Sequence, residues 1–416
     1  MPRPIFYDMS EVLLASTGKF RFYGIARTVA EIGIGLRRLD PAVRFGIWVR
    51  GYDVFHEVRL EPREGEATDF DIPSGIRQLR LRRFHPAANP LRDGLLAMAR
   101  PIASVVNRRR WDAAGVALRP IDLEGAVLTS AARPKLIADF VHALRGRDVR
   151  HVPFLHDMMP LHDRMAKKGS FAGTFLEDNR RVIRASSLVL ANSAFTASEI
   201  HGFAERGVLP EPPDVVSVPL VHECPPGEGS VHEPPPDEPY LLAVGAATGR
   251  KNLEAVFDAM LLLAERGETV PLLVLAGARR KRTEDYLTAS RFDPIRDRVM
   301  IRHSPEQSDL VALYRDAVAL VIASRMEGWG LPAGEALWLG TPALCADVPA
   351  LREVGRDLAL YFDPDDAGAL ADHVARLMGD DAFAADLRAR IAAAHGTLRT
   401  WADVAREYRE ALERIL

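Results

Sequence analysis

The sequence predicts an α/β protein built from two doubly wound, Rossmann-like domains that face a cleft. Its 416 residues are more than one ordinary hydrophobic core organises. Short apolar, β-branched runs alternate with helix-like patterns along most of the chain, which is typical of parallel sheets covered by helices. One segment, residues 222–239, carries six prolines without periodicity and interrupts the alternation. The pattern therefore divides the chain into two domains of the same kind.

The N-terminal domain is predicted over residues 1–222. Helix-like periodicity is strongest from Gly24 to about Leu39 and from Ala194 to about Glu205. Around these helices we expect strands at PIFYDM, RFGIWVR, GAVLTS, HVPFLHD, SLVLANS and VVSVPL.

The second half is predicted as a linker over 223–239, a C-terminal domain over 240–398 and an amphipathic helix over 399–416. The expected strands of this domain are YLLAVGA, PLLVLAG, VMIRHS, VALVIAS, PALCAD and ALYFD. The expected helices are Asn252–Arg266, Ser308–Asp316, Pro332–Leu339 and Ala367–Met378. Because ligands of open α/β sheets bind beyond the carboxyl ends of the strands, binding residues are expected in the loops that follow them.

Composition excludes several classes of protein. A net charge of −3 is not that of a nucleic-acid binder, which normally has a basic excess. The first residues lack the layout of a signal peptide, and no apolar run approaches the roughly 20 residues that span a bilayer. The two cysteines, Cys224 and Cys345, lack metal-ligand spacing. We therefore expect a cytosolic protein.

The stretch from Arg77 to Arg110 contains nine arginines and one acid, Asp93, with apolar residues between them. It is interpreted either as a solvated pair of helices with long arginines or as a face that contacts anionic lipid head groups. A surface for a protein partner is a third interpretation.

The segment EGWGLPAGE, residues 327–335, follows an apolar strand and leads into a helix. Glu327 is expected on the loop and Glu335 in the first helical turn, with Pro332 suited to that turn. Gly328 and Gly330 permit close approach of a ligand, and the N–H groups from Trp329 to Leu331 favour an anion. Alternatively, Glu335 only complements the helix dipole and the glycines are ordinary loop residues.

A second candidate region is YLLAVGAATGRKNLEAVFDAM. Gly245 ends a strand, and Arg250 and Lys251 directly precede a helix, where positive charge is unfavourable. Such a local cost is often accepted for function, and two cations could hold a diphosphate. The alternative is a pair of ordinary surface cations.

Two further features are more ambiguous. His156 ends the strand HVPFLHD and is either a site residue or a packing residue. Asp69 and Asp71 form a DFD triplet in a predicted loop, which we interpret as chance rather than as a metal site.

These motifs resemble the retaining glycosyltransferases of family 4, which have the GT-B fold. Their signature E-G-[FW]-G-L-P-x-x-E-A is matched from Glu327 to Ala336, followed by Gly340-Thr341-Pro342. AVGAATGRKNL and PALREVGRDLALYFDPDD extend the resemblance over the C-terminal half. In the N-terminal half, GIARTVAEIGIGL, HVPFLHDMMPL and ANSAFTASEI are more loosely similar.

The resemblance implies roles for individual residues. Glu327 would contact the transferred sugar, Glu335 the ribose hydroxyls, and Lys251 with Arg250 the leaving diphosphate. His156 would lie across the cleft near the sugar. The remaining donor-binding residues that it implies are Gly24, Ser193, Gly245, Gly328, Trp329, Gly330 and Leu331.

The resemblance also concerns the last helix of the chain and the residue after Gly245. The last helix, with Trp401, is similar to the family's segment that crosses back to the first domain. Many members have an arginine where this chain has Ala246, so charge compensation would depend on Arg250 and Lys251.

The expected activity is transfer of a hexose with retention, without a metal and without a cofactor other than the nucleotide-sugar donor. The motifs EGWGLP and RKN resemble those of bacterial mannosyltransferases of O-antigen and exopolysaccharide assembly. This resemblance suggests GDP-mannose as the donor. The acceptor would be a glycan or polyprenyl-linked glycan at the inner face of the cytoplasmic membrane. A UDP-hexose donor, a non-catalytic nucleotide-sugar-binding scaffold, and a GT-B-like epimerase or phosphorylase are the alternatives.

Overall fold

The computed structural model describes residues 3–15, 24–62, 68–71, 76–79, 81, 90–162, 170–227, 229–245, 249–278 and 281–416. The chain divides into two compact units. The first unit is Met1–Pro219 with Trp401–Leu416, and the second is Leu220–Thr400. None of the helices in the described ranges has both the length and the apolar character needed to cross a membrane.

The first unit is a mixed sheet with helices. Its strands are β1 (Ile5–Asp8), β2 (Arg44–Val49), β3 (Val54–Val58), β4 (Leu60–Pro62), β5 (Thr68–Phe70), β6 (Val127–Ser130), β7 (Arg150–Leu155), β8 (Val189–Ala191) and β9 (Val215–Ser217). Its helices before residue 220 are α1 (Ser10–Ala15), α2 (Ile25–Leu39), α3 (Pro90–Ala113), α4 (Pro134–Phe140), α5 (Ser170–Arg184) and α6 (Ala194–Glu205).

Seven strands of this unit form one sheet in the order β3-β2-β1-β6-β7-β8-β9. Neighbouring strands are parallel except β3, which is antiparallel to β2. The sheet is parallel as expected except at this edge, where a short hairpin adds the antiparallel strand β3. Strands β4 and β5 form a separate antiparallel pair. Asp69 lies in β5 rather than in the predicted loop.

The second unit has a single parallel sheet. Its strands are β10 (Tyr240–Val244), β11 (Leu272–Gly277), β12 (Val299–His303), β13 (Ala319–Ile322), β14 (Ala343–Ala346) and β15 (Leu360–Phe362), in the order β12-β11-β10-β13-β14-β15. Its helices are α7 (Leu253–Glu265), α8 (Lys281–Tyr286), α9 (Gln307–Asp316), α10 (Leu331–Trp338), α11 (Pro349–Gly355), α12 (Ala367–Gly379) and α13 (Asp381–Ala394). Both units are doubly wound, so the predicted class of two Rossmann-like α/β domains is confirmed.

The proline-rich segment 223–239 packs on the second unit. The backbone N–H groups of His232 and Glu233 donate to Asp309 Oδ1 at 2.7 and 3.2 Å. The Ser308 hydroxyl donates to the Ser230 carbonyl at 3.2 Å. These contacts join the segment to α9, although its composition is that of a linker.

The last helix, α14 (Trp401–Glu413), belongs to the first unit. It packs on α2 so closely that a β-carbon on Gly35 would lie 2.5 Å from the Ala405 β-carbon. The buried Tyr408 hydroxyl lies 2.5 Å from Thr129 Oγ1. Since Thr129 donates its proton to the Val152 carbonyl, Tyr408 must be the donor in this pair. The helix is thus fixed to the sheet by both packing and a directed hydrogen bond.

Candidate active site

Three charged side chains meet at the carboxyl edge of the second sheet. The loop after β10 supplies Arg250 and Lys251, and the loop after the neighbouring strand β13 supplies Glu327. Lys251 Nζ lies 2.7 Å from Glu327 Oε1, and Arg250 Nη1 lies 3.2 Å from Oε2. Each carboxylate oxygen therefore contacts one cation, and the cluster of three has one positive charge in excess.

Glu327 stays ionised in this setting. Its side chain is buried, with 8% of the residue exposed, and burial alone would raise its pKa. The charges of Lys251 and Arg250 outweigh burial and lower the pKa of Glu327 to about 2. At neutral pH the group is therefore a carboxylate that accepts hydrogen bonds and cannot donate a proton.

Asn252 holds the turn that carries the two cations. It caps α7 with a left-handed backbone at φ 51°, a conformation that asparagine tolerates better than most residues. Its Nδ2 donates to the Pro364 carbonyl at 2.7 Å, and its Oδ1 accepts from Arg325 Nη2 at 3.1 Å. Arg325 also donates its backbone N–H to the Arg250 carbonyl at 3.3 Å. Sequence reasoning missed Asn252 and Arg325, because their partners are distant in sequence.

Arg325 is itself held from the other side. It forms an ion pair with Asp365 in the loop after β15. The loops after β10, β13 and β15 are thus tied together through one arginine and one asparagine, which fixes the backbone positions of Arg250 and Lys251.

Gly245 lies directly beneath the cationic turn. Its N–H donates to the Ala276 carbonyl at 2.8 Å, and its φ of +82° is unfavourable for other residues. A β-carbon there would lie 3.7 Å from Lys251 Cε. Gly245, Lys251 and Ser324 line a small pocket at the ends of β10 and β13. Ala246, where the sequence departs from the motif of the resembled family, lies outside the described residues.

Helix α10 presents its N-terminus beside this cluster. It begins at Leu331 with Gly330 as N-cap at φ 111°, and Pro332 lies in its first turn. A β-carbon on Gly330 would lie 2.5 Å from Leu351 Cδ2, so packing as well as backbone angle requires glycine. The first N–H groups of a helix have no intrahelical acceptor and carry a partial positive charge. This end of α10 is therefore suited to an anion.

Glu335 lies in the second turn of α10, so its placement in the first turn was wrong. The helix begins one residue earlier than expected, at Leu331. The interaction with the helix dipole falls off within the first turn and does not account for this acid. Glu335 is buried, and its Oε2 accepts a hydrogen bond from the Tyr314 hydroxyl at 2.8 Å. A buried carboxylate fixed by a tyrosine is a candidate for binding hydroxyl groups.

The Trp329 side chain faces the protein interior. Its Nε1 donates to the Val221 carbonyl at 3.1 Å, and its ring packs edge-on against His222 at 6.1 Å. Only the backbone of Trp329 is then a candidate for ligand contact, as it is for Gly328 before it.

His156 lies in the first unit, just after β7. Its Nε2 is 2.6 Å from the Ala131 carbonyl. Because a carbonyl only accepts, Nε2 carries the proton. Burial lowers the pKa of His156, an effect that this hydrogen bond partly offsets. The ring is thus a neutral imidazole whose Nδ1 is the hydrogen-bond acceptor.

The other two predicted residues of the first unit are helix caps. Gly24 precedes α2 with φ 58°. Ser193 is fully buried, and its Oγ accepts from the Thr196 N–H at 2.9 Å at the start of α6. Capping alone accounts for a serine at position 193.

A buried polar network at the ends of β1 and β6 was not anticipated. Asp8 accepts hydrogen bonds from the Ser10 N–H at 2.9 Å and from Ser130 Oγ at 2.6 Å. Burial raises the pKa of Asp8, and these hydrogen bonds oppose the rise. Nearby, the buried Glu11 accepts from Arg133 Nε at 2.8 Å. The sequence signal, an acid directly after an apolar strand, was present in PIFYDM.

The second unit is similar in sequence to a known family. The family described as glycosyl transferases group 1 matches residues 229–394. Over these residues the second unit is similar to the group 1 glycosyl transferases. Arg250, Lys251, Glu327 and Glu335 all lie inside the matched region. The resemblance predicted from the sequence is therefore confirmed.

Proteins that this chain is similar to include bacterial mannosyltransferases. O-antigen chain mannosyltransferase B of Escherichia coli is 33% identical over 147 residues, which are 35% of this chain and 38% of that protein. O-antigen chain mannosyltransferase RfbU of Salmonella typhimurium is 32% identical over 132 residues, which are 31% of this chain and 35% of that protein. The chain thus matches less than two fifths of the length of these relatives.

A relative of another kind matches a longer stretch. A D-inositol 3-phosphate glycosyltransferase of Xylanimonas cellulosilytica is 29% identical over 261 residues, 58% of this chain and 61% of that protein.

Solved structures of the same fold extend the match to the whole chain. Sucrose-phosphate synthase of Thermosynechococcus elongatus has a TM-score of 0.66 at 18% identity and covers 100% of this chain and 99% of its own. An α,α-trehalose-phosphate synthase of Burkholderia vietnamiensis has a TM-score of 0.63 at 14% identity, with the same coverage. The likeness concerns the fold, which is GT-B.

Proposed function

We propose that this chain is a retaining glycosyltransferase that transfers a hexose from a nucleotide sugar to a glycan or lipid-linked glycan. The observation that carries the proposal is the cluster of Arg250, Lys251 and Glu327 beside the N-terminus of α10. It combines cations for a diphosphate with a carboxylate for a sugar.

The cations match the charge that develops on the leaving group. When the bond from the sugar to the diphosphate breaks, negative charge grows on the phosphate oxygens. A charge pair at about 4 Å contributes roughly 1 kcal/mol in bulk water and roughly 4 kcal/mol at the lower effective dielectric of a protein site. Arg250, Lys251 and the N–H groups of α10 are fixed before the reaction, so they stabilise this charge without reorganising.

These two cations also make a metal ion dispensable in the proposed reaction. We expect turnover of the nucleotide sugar to be unchanged by EDTA, because Arg250 and Lys251 supply the positive charge that a divalent ion would otherwise supply. The measurement is nucleotide release with and without EDTA. A loss of activity that added magnesium or manganese restores would contradict this expectation.

Glu327 is proposed to act on the sugar as an ion. Its low pKa, about 2, is that of a carboxylate that can orient sugar hydroxyls or stabilise a cationic ring. It does not suit a general acid at neutral pH.

Glu335 and His156 are proposed to accept hydrogen bonds from the donor. Tyr314 fixes the Glu335 carboxylate, which suits a vicinal diol such as that of ribose. His156 would accept from a sugar hydroxyl through Nδ1, and Gly24 would allow close approach to the phosphates. The predicted N-terminal domain, residues 1–222, corresponds to the first unit, Met1–Pro219 with Trp401–Leu416, and is proposed to bind the acceptor.

Mannose from GDP-mannose is our first choice of donor. It is supported by the similarity to two O-antigen chain mannosyltransferases. We propose a role in O-antigen, lipopolysaccharide or other surface polysaccharide assembly, at the inner face of the cytoplasmic membrane.

The first test is a thermal-shift screen with GDP-mannose, UDP-glucose and other nucleotide sugars. A ligand at 100 times its Kd stabilises the folded state by about 2.7 kcal/mol, which is readily detected. We expect the largest shift with GDP-mannose. A larger shift with a UDP-hexose would identify that sugar nucleotide as the donor instead. The absence of a shift with any nucleotide sugar would overturn the proposal.

The second test separates catalysis from binding. We expect Glu327→Gln to lower turnover by about two orders of magnitude or more, the scale of a lost electrostatic catalytic group, while GDP still binds. The matched control is Glu268→Gln, at an exposed glutamate of the same unit, which should keep native turnover. Native protein that binds the donor and never turns it over, with acceptor extracts supplied, would instead be a scaffold.

A further inference from the structure

Helix α3 has apolar side chains on two opposite faces. Ala103, Asn107 and Trp111 are buried and attach it to the first unit. Asn107 contributes two hydrogen bonds with the Leu79 backbone, at 2.7 and 3.0 Å. This face accounts for how the helix is held.

The opposite face carries a row of exposed apolar side chains, which we call the apolar stripe. Leu95, Met98, Ile102 and Val105 are 69%, 75%, 68% and 49% exposed. Their spacing of three and four residues places them on one side of the helix. Over about 1.5 Å per residue, the stripe is on the order of 15 Å long.

This concentration is unusual for a protein surface. Among the described residues, the other large apolar side chains that are exposed are Leu39, Leu79, Phe171 and Val231, which lie on separate parts of the chain. Single exposed apolar residues need no explanation, whereas a contiguous apolar patch marks an interaction surface.

Positive charge lies at the C-terminal end of the apolar stripe. Arg108, Arg109 and Arg110 are exposed in the last turns of the same helix. Arg110 donates to the carbonyl of Arg77, which is also exposed. The stretch from Arg77 to Arg110 has nine arginines and a single acid. Two copies of this face would repel each other, while an anionic surface would attract it.

We infer that the apolar stripe of α3 enters the head-group layer of an anionic lipid bilayer while Arg108–Arg110 contact the lipid phosphates. Amphipathic helices that lie in a membrane interface bury their apolar face about 5–10 Å deep and place cations on the polar side. The inference deepens the membrane location in the proposed function and does not depend on the sugar or the donor.

The experiment is flotation with two kinds of vesicle, phosphatidylcholine alone and phosphatidylcholine mixed with phosphatidylglycerol, without nucleotide sugar. We expect native protein to float only with the anionic vesicles. Met98→Ser with Ile102→Ser should lower the partition constant by on the order of tenfold per side chain. The control, Leu39→Ser with Val231→Ser, removes two exposed apolar side chains elsewhere, at 50% and 46% exposure, and should float like native protein.

The charge contribution is tested separately. Arg109→Glu should weaken binding to anionic vesicles by at least about fivefold, the scale of one basic residue at such a surface. Arg147→Glu makes the same charge change at an exposed site outside the arginine-rich stretch and should have little effect. High salt should weaken native binding as well.

Insertion itself is read from an environment-sensitive dye. Both native cysteines are buried, so a dye on Met98→Cys reports the stripe and a dye on Leu39→Cys serves as control. A blue shift with anionic vesicles is expected only for the first. The inference is overturned if native protein ignores anionic vesicles, or if the double serine variant binds as native protein does. It is also overturned if that variant only dissociates a dimer. Because no donor is present, failure here leaves the transferase proposal untouched.

Discussion

Asn252 shows how a single side chain positions the proposed site. We expect Asn252→Gly to weaken nucleotide-sugar binding by about tenfold, because it removes the contacts to Pro364 and Arg325 that hold the cationic turn; a lost hydrogen bond costs about 1 kcal/mol. Glycine adopts the φ of 51° without strain. The measurement is donor affinity alongside the melting temperature.

The companion variant is Asn252→Ala, which loses the same contacts and adds backbone strain. It should bind donor as weakly as the glycine variant but melt at a lower temperature. Native donor affinity in Asn252→Gly would show that the turn needs no such anchor.

At this scale the sequence predicted which residues carry charge but not what they contact. Glu327, Arg250 and Lys251 were identified from their places after strands. That Glu327 pairs with both cations depends on the neighbouring positions of β10 and β13, and local sequence does not encode that order. Glu335 was placed one turn too early, since the helix begins before Pro332 rather than at it.

The packing of α14 on α2 yields a prediction for a whole element. Gly35→Ala should destabilise the protein by about 1 kcal/mol, because its β-carbon would lie 2.5 Å from that of Ala405. Overpacking of this kind costs about 1–3 kcal/mol, and the higher helix propensity of alanine offsets up to about 1 kcal/mol of it. Urea unfolding measures the difference.

The control makes the same substitution, glycine to alanine, on another helix. Gly173 lies in α5, and a β-carbon there would contact nothing within 4 Å. Gly173→Ala should therefore stabilise the protein slightly. If both variants shift stability in the same direction, the close approach of α2 and α14 is not what limits position 35.

Elements with regular patterns were predicted well, and those fixed by distant contacts were not. Helix α6 spans Ala194–Glu205, as the pattern indicated. Pro101 lies inside one continuous helix, α3, although an internal proline usually breaks one; a pair of helices was one of the interpretations of the stretch from Arg77 to Arg110. The segment 223–239 lacks periodicity, and its sequence did not indicate that Asp309 on α9 fixes it through backbone N–H groups.

A buried histidine makes the stability of the whole molecule depend on pH. His151 is fully buried, and burial lowers its pKa from 6.5 to about 4. Below about pH 6.5 the unfolded chain binds a proton that the folded protein does not, so the free energy of unfolding falls as pH decreases. The loss continues until about pH 4, where both states are protonated.

Between about pH 7 and about pH 5 this single group should therefore lower stability by about 2 kcal/mol. The check is urea unfolding at both pH values. His151→Leu should show a smaller drop than native protein, and His201→Leu, at an exposed histidine, should show the native drop. An unchanged pH dependence in His151→Leu would assign acid sensitivity to other groups.

The chain leaves the first unit after Pro219 and returns to it only at Trp401. A ribosome therefore delivers the entire second unit before the helix that completes the first. The second unit can fold at this stage. The first unit still lacks α14, which packs on α2 and supplies the Tyr408 hydroxyl that pairs with Thr129. Maturation of the first unit thus waits until α14 has been translated, and a nascent chain stalled near residue 400 should present a folded second unit tethered to an unfinished first unit.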